Sequence, residues 1–131
     1  MLATAAAPIS DGQRLALRVT LDVNDGGGNR VANFYTAPTI AGPWTQLGAT
    51  VTTAGAVSIF SGSAVLEVGS NASGTTQMMA GLVYAVEVRD GIDGTVVTSP
   101  NFASLSPKQP SFVDDQGRRW TIDGNALIGV V

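Results

Sequence analysis

Residues 14–23, RLALRVTLDV, decide the fold. Leu15, Leu17, Val19, Leu21 and Val23 fall on one side of an extended chain, and Ala16, Arg18, Thr20 and Asp22 on the other. That alternation is the mark of a half-buried β-strand, with the aliphatic side expected inward. The next six residues, NDGGGN (24–29), are those that most readily adopt positive φ, and RVANFYTA (30–37) resumes extended character. The two runs therefore read as a hairpin with Gly26, Gly27 and Gly28 at its tip.

The same grammar continues outward. Pro38 and Pro43 flank a connection, WTQL (44–47) is a short strand, and Gly48 ends it. AVSIF (56–60) and AVLEV (64–68) have the length of sandwich strands and are separated by Ser61, Gly62 and Ser63. A polar loop, SNASGTTQ (70–77), precedes a second alternating run, LVYAVEVR (82–89), in which Leu82, Tyr84, Val86 and Val88 are expected inward. DGIDG (90–94) turns the chain into residues 95–98. Pro100, Pro107 and Pro110 break the following segment, and a terminal hairpin is expected around DDQG (114–117), with a last strand over 126–131. About eight to ten short strands with frequent turn signals, and no run of helical period, predict an all-β antiparallel β-sandwich or jelly roll. The Ala-rich residues 1–10 read as an N-terminal arm or edge segment, and 11–131 as a single domain.

Composition narrows the chemistry. The 131 residues include no cysteine and no histidine, a single lysine (Lys108) and two glutamates (Glu67 and Glu87). A thiolate nucleophile, a Cys/His zinc site, a Ser-His-Asp triad and a disulfide are excluded outright, and a P-loop or a glutamate pair has almost no material. No catalytic residue is assigned and no enzyme is expected. The net charge of −3, with arginines scattered from Arg14 to Arg119, provides no basic stripe for nucleic acid. No apolar run approaches the ~20 residues of a membrane-spanning helix, so no membrane insertion is expected.

Two sets of residues invite a ligand. Asp22, Asn24 and Asp25 place oxygen ligands at alternating spacing on a flexible loop, the donor type calcium uses, but no acid follows at the spacing that completes an EF-hand. A hairpin loop solvated by Asp and Asn explains the same residues, and neither a metal nor another cofactor is expected. Asp90 and Asp93 meet the same answer. Trp44, Tyr35 and Trp120 carry the chemistry of a sugar-stacking platform, whereas core packing is the commoner use of aromatics in a chain with only eight. Met78 and Met79 are expected to fill a gap in the core. Asn71-Ala72-Ser73 matches a glycosylation sequon, and Arg118 and Arg119 read as solvated charges beside a turn.

Four stretches in order, GQRLALRVTLDVNDGGGNRVANFYTAP (12–38), WTQLGATVTTAGAVSIFSGSAVLEVGSN (44–71), GLVYAVEVRDGIDGTVVTSPNF (81–102) and SFVDDQGRRWTIDGNA (111–126), carry a family likeness. Together they resemble the later half of laminin G-like, concanavalin A-like jelly-roll domains found in tail and other virion proteins of bacteriophages that infect actinobacteria. The resemblance spans roughly residues 11–131 and lies in strands and turns, with no catalytic signature. It implies a virion location and a structural or surface-recognition role. The implied partners are other copies of the chain, other virion proteins, or a glycan of the host cell surface. A carbohydrate-binding module for cell-wall glycans is the alternative it leaves open. Such domains carry further strands ahead of the point where this chain starts. The expectation is therefore either a piece of a longer protein or a chain whose open sheet a neighbour covers, hence an oligomer or an attached subunit.

Overall fold

The computed structural model describes residues 1–59, 61–72, 74–123 and 126–127. Within them the chain is all-β: eight strands, every pairing antiparallel, and one 3-10 turn at Phe102–Ser104. Two compact units are formed, Met1–Ser61 with Gly91–Gly94, and Gly62–Asp90 with Thr95–Val131. Residues 1–10 belong to the first unit, where the Ala49 N–H donates to Thr4 Oγ1 at 2.7 Å. Gly48 beside it has φ +70, and a Cβ there would strike the Thr4 hydroxyl, so glycine is required at this close approach.

The first unit is a four-stranded sheet. β1 (Ala16–Asp22) and β2 (Asn29–Ala37) pair without a bulge from Ala16↔Ala37 to Asp22↔Val31. β3 (Thr45–Gln46) and β4 (Val51–Ala54) share the other edge of β2, opposite Tyr35–Thr36 and Asn29–Ala32 respectively. The hairpin expected from the alternation is thus formed, and the Asp25 N–H closes its loop on the Asn29 carbonyl at 3.0 Å. β4 is an addition: its Val51-Thr52-Thr53 run is β-branched, a composition that favours a pleated strand even where the apolar alternation is weak.

The inward face of β1 is a correction. Leu17, Val19 and Leu21 are 65%, 61% and 43% exposed, while Thr20 on the opposite side is only 7% exposed. Alternation establishes that the two faces of a strand differ; which of them is covered depends on what lies over the sheet. Cross-strand register places Phe34, Ala32 and Val51 on the aliphatic face, and of these only Ala32 is buried, a small side chain between larger neighbours.

The second unit carries two short hairpins. β5 (Val88–Asp90) pairs with β6 (Thr95–Thr98), with a register shift at Val88/Arg89, through the DGIDG turn. β7 (Ser111–Val113) pairs with β8 (Arg119–Thr121) through the DDQG turn, as the terminal hairpin was expected to do. Of the expected strand over 82–89, only the end joins a ladder. Ala85 makes a single bridge to Asn101, flanked by Val86 N–H to Pro100 O and Ala103 N–H to Tyr84 O. Pro100 has no N–H to continue a regular ladder. Leu82, expected inward, is 68% exposed.

Residues 56–59 and 64–68 form no strand, and Ile59, Val65 and Leu66 stand in solvent. A strand pattern becomes a strand only beside a partner edge, and these segments have none among the described residues. Phe60 and residues 128–131 of the expected strands, like Ser73 of the sequon, lie outside the described residues. Met78 and Met79 are exposed rather than filling a core.

Candidate functional site

The sheet of the first unit gathers Arg18, Tyr35 and Trp44 on the face opposite Leu17, Val19 and Leu21. Tyr35 sits directly across from Arg18 in the β1–β2 register, and Trp44 immediately precedes β3, whose Gln46 pairs with Tyr35. The Arg18 guanidinium lies 5.5 Å from the Tyr35 ring centroid and 6.0 Å from that of Trp44, so one cation is held against two π faces. The same guanidinium donates through Nη2 to Asp93 Oδ1 at 2.5 Å. Beside this cluster, the Thr50 hydroxyl donates to Asn33 Oδ1 at 2.6 Å, and Gln46 Nε2 donates to Thr50 Oγ1.

Two of the three aromatic candidates are therefore brought together, and both are half-buried on a common arginine.

Trp120 has a different set of partners. Its ring stacks on Phe112 with centroids 6.5 Å apart and planes 12° off parallel, and Phe102 meets both edge-on at 5.7 and 6.2 Å. Its indole N–H donates to Asp114 Oδ2 at 3.2 Å. Phe112 is 8% exposed and Pro100 is fully buried, which makes this the packed part of the second unit.

Asp114 is the residue that sequence reasoning passed over. Its Oδ1 accepts the main-chain N–H groups of Gln116 and Arg118 at 3.0 and 2.8 Å, and its Oδ2 accepts from the Thr98 hydroxyl, the Ser99 N–H and Trp120. Burial pushes its carboxyl pKa up, but the hydrogen bonds from Thr98, Arg118, Trp120 and Ser99 outweigh burial and hold it well below the usual carboxylate range. One side chain thereby ties the β7–β8 turn to the end of β6. The available signal was an Asp two residues ahead of Gln116-Gly117, the position from which an Asx turn closes.

The loop considered for calcium uses its oxygens internally. Asp22 Oδ1 accepts the Asn24 N–H, Asn24 Oδ1 accepts the Gly26 N–H, and Asp25 Oδ1 accepts the N–H groups of Gly27 and Asn29. Asp25 Oδ2 also accepts from the Asn29 side chain, and that bond leads the causes that lower the Asp25 pKa. Successive Asx turns shape this loop. Among the described residues, no three acidic side chains are grouped as metal ligands.

Neither glutamate faces a partner carboxylate in these contacts. Glu67 accepts from the Ser70 hydroxyl and the Gly74 N–H, and Glu87 pairs with Arg89 at 2.6 Å. No protein-family model matches the chain, and no curated protein or solved structure matches it significantly.

Proposed function

We propose that the chain is a non-enzymatic structural or surface-recognition component of a bacteriophage particle, completed by contacts with other copies of itself or with other virion proteins. The observation that carries this reading is the distribution of apolar side chains. Among the described residues, Ala32, Ala37 and Phe112 are the buried hydrophobic core apart from Pro100, whereas nineteen large apolar side chains are exposed. Monomeric soluble proteins keep large contiguous apolar patches covered, and an aliphatic sheet face left open in one chain is a surface for a neighbour. The likeness to virion jelly-roll domains supports the same reading, with the first-unit sheet as part of a sandwich closed by that neighbour.

Function by contact fits the chemistry as well. Many identical copies turn weak local contacts into firm attachment.

The test is an antibody raised against the purified chain and applied to intact particles of the phage that encodes it, read by gold labelling and by peptide mass spectrometry of the same particles. Regular labelling at one location, with several copies per particle, is expected. A chain found free in the lysate and absent from purified particles would contradict the proposal.

A further inference from the structure

We infer that β1 is a self-complementary docking edge, and that two copies of this chain pair their β1 strands antiparallel about a two-fold axis at Thr20. Among the described residues β1 has one partner strand, β2, and no further main-chain hydrogen bond reaches residues 16–22. Edge strands are ordinarily guarded by proline, lysine, a bulge or very short length. β1 has seven residues, unbroken register and no Pro or Lys, and its two charged residues, Arg18 and Asp22, are of opposite sign. The opposite edge of the sheet is split between the two residues of β3 and the four of β4, so β1 is the long edge of this unit.

Charge complementarity identifies the occupant and the register. With the axis at Thr20, Arg18 of each copy stands opposite Asp22 of the other, Val19 opposite Leu21, and Thr20 opposite itself. Opposite charges and aliphatic pairs directly across an antiparallel ladder are favourable, and like charges there are not. Moving the axis to Val19 places Asp22 against Ala16 and Arg18 against Thr20, which loses both ion pairs. A parallel in-register pairing brings Arg18 beside Arg18 and Asp22 beside Asp22. Arg18 uses one of its five N–H donors on Asp93 and rests its guanidinium against the Tyr35 and Trp44 rings, so Asp22 of the other copy would join a cation already held in place, while Asp22, which accepts one main-chain N–H on Oδ1, retains acceptor capacity. Pairing also continues the open aliphatic face of one copy into that of the other, side by side in one sheet.

This inference deepens the assembly reading above by naming one of its contacts. A chain that labels particles but is monomeric in solution would overturn the contact and leave that reading standing.

The experiment is sedimentation velocity on the full chain over a dilution series, on Arg18→Glu and Asp22→Arg separately, and on their equimolar mixture, with circular dichroism to check folding. Wild type is expected to be a concentration-dependent dimer. Each variant alone, carrying like charges along β1, is expected to dimerise at least tenfold more weakly, and the mixture to recover a heterodimer. A wild-type monomer throughout the series overturns the inference, as does a dimer unaffected by either substitution. Loss in both variants without recovery on mixing overturns the register. Should either variant fail to fold, β1 amide exchange in the wild type decides: protection of the outer-edge amides that rises with protein concentration supports the pairing, and protection independent of concentration overturns it.

Discussion

Replacing Asp114 with asparagine is expected to lower the melting temperature by on the order of 10 °C. The asparagine keeps the volume and one carbonyl acceptor but turns an NH2 group towards donors. Whichever way the amide is oriented, it faces either the Gln116 and Arg118 N–H groups or the set from Thr98, Ser99 and Trp120. Donors left without an acceptor in this part-buried site, the buried Thr98 hydroxyl above all, cost more than the hydrogen bonds gained when the site is satisfied.

The effect carries a pH signature. Because the Asp114 pKa is lowered on folding, its contribution is fully present above the ordinary value of 3.8 and is lost progressively as pH falls below that towards the folded-state value. Melting curves from pH 7 down to pH 2 should therefore fall more steeply for the wild type than for Asp114→Asn, and the gap between the two should narrow in acid. A constant gap would mean that the carboxylate charge is not what holds the turn. Asp25, also lowered in pKa, is present in both proteins and cancels in the comparison.

The second large effect is expected from Phe112→Ala. Phe112 is the buried member of the three-ring cluster, stacked on Trp120 and edge-on to Phe102. Truncating such a ring removes its transfer free energy and leaves a cavity, a loss of about 3 kcal/mol or more. Both aromatic contacts go with it, each worth roughly 0.5–1.5 kcal/mol beyond area burial. Trp120 reports the change directly. In a Trp44→Phe background, its emission is expected to shift to longer wavelength as water reaches the indole, and chemical unfolding should move to lower denaturant. Unchanged emission and stability would show that the cluster does not pack the second unit.

How far the molecule was legible in its residues depended on how local each cause was. The β1–β2 hairpin, the DGIDG turn and the DDQG hairpin are written in neighbouring residues: alternation on both sides, with Asp, Asn and Gly where the chain reverses. Residues 56–59 and 64–68 have the length of short strands and form no ladder, because a strand needs an edge to pair with and local pattern carries no information about whether one exists. The same limit explains β1. Its two faces were read correctly as different, but the covered face is the one bearing Thr20 and Arg18, a matter of what lies over the sheet.

Among the candidate residues, the likeness of Tyr35, Trp44 and Trp120 as aromatics concealed two separate duties. Register with Arg18 draws the first two together, and spacing along the β7–β8 hairpin delivers the third to Asp114. Asp114 itself was hidden because it stands next to Asp115, and composition does not distinguish the carboxylate that folds back over the turn from the one that remains in solvent.

The first unit ends in an open strand edge at β1, on which both the assembly and its register depend. Residue-resolved amide hydrogen exchange on dilute protein tests it most directly. An alternation is expected between Ala16 and Asp22, with slow exchange where the N–H bonds to β2 and fast exchange at the intervening residues that point away from it. Uniform slow exchange along all of β1 in dilute solution would show that the chain covers this edge itself and would contradict an open edge.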